Sequence, residues 1–197
     1  DYRQGQENGS HWVAPEVDVS LRPGWYYHPE QDKQVKSPDS LMRIYVASVG
    51  RNANLLINIP VDTRGLIHPN DSAALMGLKS LMNTGLRSLR KKTDGIQVSS
   101  SMKGYGSDKL YDVSPRTFWA ANVSDNSPRL TWSLADSRLV NAIQMQEPIA
   151  LGQRVKRFEV KLVDQDGKTE VLQGHTIGNK RIVTFKARKL KSIQVDF

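Results

Sequence analysis

The sequence contains no cysteine among its 197 residues. This absence excludes disulfide bonds, thiolate catalysis, and zinc or iron–sulfur sites with cysteine ligands. No run of about 18 uncharged apolar residues occurs either, so we expect no transmembrane helix. The chain starts at Asp1 rather than at Met and lacks the pattern of a signal peptide. We therefore expect a processed or excised piece of a longer protein.

The composition is that of a folded protein with an excess of positive charge. Hydrophobic residues make up 38% of the chain, and 28 Lys+Arg against 20 Asp+Glu give a net charge of +8. The single dense basic cluster, residues 87–92, falls at the end of a predicted helix, where cations complement the helix dipole. Because no nucleic-acid motif accompanies it, we expect a solvated helix end rather than a phosphate-binding patch.

Residues 37–92 predict a helix, a strand and a second helix, in that order. The first helix starts after Ser37, and the apolar run 54–60 has the length of a strand. The second helix starts at Pro69 and carries apolar residues at spacings of three and four as far as Leu89. Long connections of this kind favour a parallel sheet.

The composition changes near residue 93, where turn signals separate short strand-like runs. The clearest hairpin has an Asp-Gly turn within the alternating run 160–168. Six to eight strands in about 100 residues predict an antiparallel β-sandwich. We therefore expect two domains, an α/β domain at 1–93 and an all-β domain at 94–197. The candidate strands are 96–101, 117–121, 129–134, 139–146, 154–163, 168–173, 181–185 and 192–197.

The stretch 11–29 has the most unusual composition in the chain. It combines two Trp, two Tyr, two His, a Glu, an Asp and an Arg with three prolines that break it into loops. Apolar sugar faces stack on aromatic rings, and charged groups bind sugar hydroxyls through paired hydrogen bonds. Composition alone leaves a sugar-binding site and an aromatic packing loop as equal alternatives.

Four motifs follow one another in the first half: Glu16, Arg22-Pro23-Gly24-Trp25, the run 48–52 (SVGRN) and the run 54–58 (NLLIN). In this order and spacing they resemble glycoside hydrolase family 29, the α-L-fucosidases. The second half is similar to the β-sandwich that follows the catalytic barrel in bacterial members, and it looks like a discoidin-type (coagulation factor 5/8 C-like) module. The segments that carry this second likeness are 117–120, 146–149, 152–155 and 176–181.

The resemblance implies a fold and an activity. It places residues 1–93 in the last portion of a (β/α)8-like TIM barrel, whose site lies at the carboxyl ends of the strands, followed by a jelly-roll or discoidin-like sandwich. It implies part of a retaining, exo-acting α-L-fucosidase of the bacterial periplasm or exterior, acting on terminal fucose of glycans. The expected partners are fucosylated glycans and the remainder of the barrel.

The resemblance also implies that this chain is inactive alone, because the nucleophilic Asp is expected upstream of Asp1. We expect no cofactor and no metal site, although a Ca²⁺ in the sandwich stays open. The alternative is a non-catalytic carbohydrate-binding or scaffold piece.

Three aromatic or imidazole side chains are candidates for substrate binding. Trp25 matches the position where the family places a ring against fucose, and core packing is its alternative. Trp12 either walls the pocket or packs at the barrel rim. His28 either binds sugar hydroxyls or is structural.

Three charged or amide side chains are further candidates for the site. Glu16 is the local candidate for the catalytic acid/base, with a site-lining carboxylate at a strand end and a salt-bridged loop residue as alternatives. Arg22 is a candidate for substrate binding, but bracing of the loop against Glu16 or Asp18 is favoured. Asn58, at the end of a predicted strand, is expected to hold neighbouring carboxylates of the site.

Overall fold

The protein is described by a computed structural model that covers residues 5–89, 91, 93–112 and 114–197. Its internal packing divides the chain into two compact units. The amino-terminal unit is Val13–Arg87, and the carboxy-terminal unit is Ser88–Phe197 together with residues 5–12. The carboxy-terminal unit begins a little before the predicted boundary at 93/94, because Leu89 already packs against its core.

The amino-terminal unit alternates strands and helices. Strand β1 (Glu16–Ser20) and strand β2 (Asn54–Asn58) pair in parallel, with Glu16 beside Asn54 and Ser20 beside Asn58. Helix α1 (Pro38–Ser48) connects them, and helix α2 (Pro69–Gly85) follows β2. This is the predicted helix, strand and helix, preceded by a strand within 11–29.

Local signals in the sequence account for the helix starts. Ser37 caps α1, because its hydroxyl accepts a hydrogen bond from the Ser40 N–H at 3.2 Å. His68 caps α2 in the same way, since its Nδ1 accepts from the Asn70 N–H at 3.2 Å. His68 thus has a structural role at the start of α2. Both helices have proline at the first position, where no N–H is needed.

Helix α2 is shorter than predicted. It ends at Gly85, and the Leu86 N–H makes the last bond to Met82. The described part of the basic cluster, including Arg87, therefore lies beyond the helix. The periodic apolar pattern continues to Leu89, but that side chain packs in the carboxy-terminal unit instead. The core of the amino-terminal unit consists of Leu21, Leu41, Ala74 and Leu78.

The carboxy-terminal unit is built on one antiparallel five-stranded sheet among its described residues, in the order β3-β4-β7-β5-β6. The predicted hairpin is present, because β5 and β6 pair across a turn in which Asp164 accepts from the Lys168 N–H at 2.8 Å. The core alternates along β5, where Phe158, Val160 and Leu162 are buried. The strands are β3 (Gly95–Val98), β4 (Arg129–Met145), β5 (Arg157–Asp164), β6 (Thr169–His175) and β7 (Arg181–Asp196).

Five of the predicted strand runs need correction. Runs 129–134 and 139–146 are one long strand, β4, and runs 181–185 and 192–197 both lie largely in β7. The polar residues between the first two runs make no turn. The pairing of β4 with β7 instead shifts register between Ser133 and Arg138, and again between Val140 and Ala142. Residues 117–121 form no strand, since this part of the chain makes only isolated backbone bonds.

A buried carboxylate fastens the start of the carboxy-terminal unit. Asp94 is 4% exposed and accepts the N–H groups of Lys91 at 2.9 Å and Ala135 at 3.1 Å. The Arg138 guanidinium reaches both of its oxygens, at 2.5 and 2.9 Å. Burial opposes ionisation of Asp94, but these hydrogen bonds outweigh it and lower the pKa of Asp94 to about 2.

A second carboxylate ties two loops of the same unit together. Glu147 accepts from the N–H groups of Arg154, Val155 and Gly178 at 2.7 to 2.9 Å. The bond to Arg154 is made by its backbone N–H rather than by its side chain. The all-antiparallel sheet is consistent with the predicted sandwich. No helix of the described residues is long and apolar enough to span a bilayer.

Candidate functional site

The candidate site begins where the two parallel strands end. Ser20 and Asn58 are the last residues of β1 and β2, and they lie side by side. The Asn58 amide donates to the Ser20 hydroxyl at 3.0 Å and to the Trp25 carbonyl at 2.8 Å. The Ser20 hydroxyl in turn donates to the Gly24 carbonyl at 2.7 Å. Polar side chains at the strand ends thus hold the backbone of the loop that follows β1.

This loop, residues 21–28, is called the aromatic loop below. At its apex the Trp25 side chain is 51% exposed and Tyr26 is 80% exposed. Trp and Tyr are on average more buried than this, and here two adjacent exposed rings lie on a hydrogen-bonded backbone. Such rings can stack on an apolar ligand face without first having to be ordered.

Beneath the apex, Arg22 is almost completely buried at 1% exposure. Its Nε lies 3.2 and 3.1 Å from the two Asp71 oxygens, and its Nη2 lies 2.7 Å from Asp71 Oδ2. Its Nη1 donates to Asp32 Oδ1 at 2.9 Å. The guanidinium also lies 4.7 Å from the centre of the Tyr27 ring. The paired bond to Asp71 is the geometry in which arginine binds carboxylates most strongly.

Asp32 connects this cation to the start of α2. Its second oxygen lies 3.4 Å from the Tyr27 hydroxyl and 3.4 Å from His68 Nε2. Its backbone carbonyl accepts from the Asn70 amide at 2.7 Å. Since His68 accepts at Nδ1, the neutral tautomer with hydrogen on Nε2 serves both contacts. The flanks of the aromatic loop and the first turn of α2 therefore belong to one hydrogen-bonded network.

The charges in this network reinforce one another. The hydrogen bonds from Arg22 to Asp71 raise the pKa of Arg22, against the opposing effect of burial, and Asp32 adds to the increase. Burial and then the nearby Asp32 raise the pKa of Tyr27. Arg22 is thus a permanent cation and Tyr27 a neutral phenol at neutral pH.

The loop between β2 and α2 is fixed by another carboxylate. Asp62 accepts from the Arg64 side chain and from the N–H groups of Arg64 and Leu66, which lower the pKa of Asp62 to about 2. A single antiparallel bridge pairs Val61 with Ile67. Val61, Leu66 and Ile67 are each about half exposed on this loop.

The structure corrects the expected substrate contact of Arg22. Its side chain has no exposed surface, so no ligand can touch it. Its favoured role as a brace holds, but the braces are Asp71 and Asp32 rather than Glu16 or Asp18. Glu16 and Asp18 are exposed in β1 and make no described contact with the guanidinium.

The other candidates are placed apart or at the surface. Glu16 opens β1, at the end of the strand pair opposite Ser20 and Asn58, so the structure does not bring it to the aromatic loop. His28 is exposed, with its Nδ1 3.7 Å from Glu30 Oε1. Trp12 is 41% exposed and belongs to the carboxy-terminal unit. Their predicted roles stay predictions.

Sequence reasoning missed two residues and misread a third. Asp71 was seen only as part of a helix start, and Asp32 was not singled out. Asn58 was expected to hold carboxylates, but it holds the Trp25 carbonyl and Ser20 instead.

None of the well-buried carboxylates of this unit is placed like a nucleophile. Asp62 and Asp71 are each engaged with an arginine, as is the half-buried Asp32. Among the residues that the structure describes, no group of three or more His, Asp or Glu side chains could hold a metal ion. What this unit offers chemically is a supported aromatic surface at the carboxyl ends of two parallel strands.

Comparison with solved structures identifies the class of protein that this chain resembles. A glycoside hydrolase 29 family member from a rumen bacterium matches with a TM-score of 0.75 and 29% identity, over 97% of this chain and 31% of that one. A Ruminococcus gnavus family 29 fucosidase, solved in complex with fucose, matches with a TM-score of 0.86 and 26% identity. That match covers 98% of this chain and 39% of the other.

Sequence comparison points to one activity within that class. Residues 2–84 match the family model described as Alpha-L-fucosidase. The Arabidopsis thaliana protein Alpha-L-fucosidase 1 is 31% identical over 202 residues, which cover 97% of this chain and 39% of that protein. A rice relative is 32% identical over 36% of its own length. The chain thus spans well under half of the curated relatives, which are plant proteins.

Proposed function

We propose that this chain is the carboxy-terminal part of a retaining, exo-acting α-L-fucosidase that removes terminal α-L-fucose from glycans. The observation that carries the proposal is the aromatic loop, with Trp25 exposed above Ser20 and Asn58 at the carboxyl ends of parallel strands. Active sites of (β/α)8 barrels lie at those ends. The family match over residues 2–84 and the fucose complex of the Ruminococcus relative support the same substrate.

In this proposal the amino-terminal unit is the end of the catalytic barrel. Among the described residues, β1 and β2 hydrogen-bond to no further strand. The outer edge of each strand therefore needs a partner strand. The remaining strands come from an upstream segment or a separate chain. The nucleophilic Asp lies there, and Asp32, Asp62 and Asp71 are all committed to ion pairs. We call the complete assembly the intact protein.

Within the intact protein, Trp25 stacks on the apolar face of fucose. Its exposed ring is backed by bonded main chain, which suits a platform for a sugar. His28, in the same loop, is a second contact to the substrate. Trp12 stays a candidate for the pocket wall or for packing at the barrel rim, and Glu16 a candidate for a site-lining carboxylate or the acid/base. Neither is supported by the contacts of the amino-terminal unit.

The carboxy-terminal unit is proposed to be a discoidin-like β-sandwich. Its antiparallel sheet with a core along β5 and β7 supports this fold. The competing function is a non-catalytic carbohydrate-binding or scaffold piece. It is favoured because Asp32, Asp62 and Asp71 in the barrel portion are each engaged with an arginine. The intact protein is proposed to act in the periplasm or outside the cell.

Hydrolysis of an aryl α-L-fucoside tests the proposal. The intact protein should release the aryl group with retention at the anomeric carbon, while the 197-residue chain alone should show none. An aryl β-D-galactoside is the control substrate. Absence of turnover by the intact protein would remove the catalytic proposal, and turnover by the isolated chain would show that the nucleophile lies within it.

A further inference from the structure

We propose that Asp71 is a positioning residue for substrate binding, which acts on Trp25 through Arg22. This inference rests on the proposed function, because it assigns Asp71 to the support of the fucose platform. Asp71 touches no ligand, since its side chain is fully buried. Its effect passes through the guanidinium that underlies the aromatic loop.

The geometry shows how Asp71 can set the loop. It is held in the first turn of α2, and that helix is anchored by the core residues Ala74 and Leu78. Both Asp71 oxygens bind Arg22, so the guanidinium plane has one orientation relative to the helix. Nη1 then meets Asp32 at 2.9 Å on the other side. A rigid element therefore fixes the side chain three residues before Trp25.

The far flank of the loop depends on the same network. Tyr27 packs on the Arg22 guanidinium and approaches Asp32 with its hydroxyl. Nη1 of Arg22 also lies 3.4 Å from the His28 carbonyl. Trp25 and Tyr26 thus lie between Arg22 itself and two residues, Tyr27 and His28, that both contact its guanidinium. Loss of Asp71 loosens both flanks, while Asn58 and Ser20 still hold the apex from the strand ends.

The matched variants are Asp71→Asn and Asp39→Asn. Asp39 is also an acid in the first turn of a helix, α1, but it is exposed and contacts no arginine in the described contacts. It therefore controls for the loss of charge at a helix amino terminus. Asp32→Asn is the second variant, and it removes the other carboxylate that binds Arg22. It tests the same network if Asp71→Asn does not fold.

Hydrogen exchange of the aromatic-loop amides tests positioning without reference to activity. In the intact protein, Asp71→Asn and Asp32→Asn should speed exchange of these amides at least tenfold, and Asp39→Asn less than twofold. The amides of β1 and β2 should stay protected in all three. Unchanged loop exchange in a folded Asp71→Asn variant would overturn the proposal.

Competitive inhibition by fucose tests whether the effect reaches the substrate through Trp25. Asp71→Asn and Trp25→Ala should each weaken fucose binding about tenfold, and the double variant should be no weaker than Trp25→Ala alone. Losses that multiply would show that Asp71 acts independently of Trp25 and would overturn the assignment. If the intact protein does not bind fucose, the proposed function fails while the exchange result still decides the role of Asp71 in the loop.

Discussion

Asp94 allows a quantitative test of how the carboxy-terminal unit is held together. The perturbation is Asp94→Asn, which keeps the size of the side chain and removes its charge. The pKa of Asp94 is about 2 in the folded protein, whereas the pKa of an unperturbed Asp is about 3.9. A difference approaching two pKa units corresponds to about 2 kcal/mol of stability.

The sign of the pH dependence follows from the direction of the shift. Because folding lowers the pKa of Asp94, the folded state favours the ionised form. The stabilising contribution is therefore complete above about pH 4 and is lost as the pH falls through about 2. The free energy of unfolding of wild type relative to Asp94→Asn should shrink by about 2 kcal/mol between pH 6 and pH 1.5.

Hydrogen exchange of the slowest amides of β5 and β7, corrected for intrinsic rates, measures unfolding of this unit within the whole chain. Urea titration at each pH gives an independent value. Asp166→Asn, at the exposed β5–β6 turn, controls for the removal of one negative charge. A wild-type advantage over Asp94→Asn that stays constant from pH 6 to pH 1.5 would refute the reasoning.

The remaining predictions concern packing and backbone hydrogen bonds. Gly77→Ala should lower the melting temperature, because a Cβ there would overlap the Pro38 ring. Gly85→Ala has open space around it and should raise the melting temperature, because alanine has the higher helix propensity. Shifts of the same sign and size in both variants would contradict the packing. Asn58→Ala should cost about 1–2 kcal/mol in urea unfolding and speed exchange of the aromatic-loop amides, since two bonds are lost. Glu147→Gln should cost about 1–3 kcal/mol in urea unfolding, because an amide cannot accept all three N–H groups, and an unchanged midpoint would contradict this.

Features governed by neighbouring residues could be predicted from the sequence. The starts of α1 and α2 follow from Ser37 and from the prolines at the first positions, and the Asp-Gly turn gives the β5–β6 hairpin. These signals act over four residues or fewer, so they do not depend on the tertiary fold. A parallel sheet was also expected from the helix-containing connection, but β1 itself lies in a stretch that the prolines suggested to be loops.

Features set by distant residues could not be predicted. Arg22 and Asp71 are 49 positions apart, so sequence reasoning assigned the arginine to acids close to it in the chain. The polar residues within β4 suggested a break, but Asp94 and Lys91 from before β3 pair with Asp136 and Arg138 and let the strand continue. Both cases involve charges whose partners are brought together only by folding.

Replacement of Trp25 tests the central claim most directly. Trp25 is 51% exposed, so stacking on a sugar could bury roughly 100 Å² of its ring. That burial is worth about 2 kcal/mol, which corresponds to roughly 30-fold in kcat/KM. The intact protein carrying Trp25→Ala should lose that factor on an aryl α-L-fucoside, whereas Met76→Ala, an exposed apolar residue on α2, should stay within twofold of wild type. Full activity of Trp25→Ala in a folded intact protein would contradict the assignment of the aromatic loop as the fucose platform.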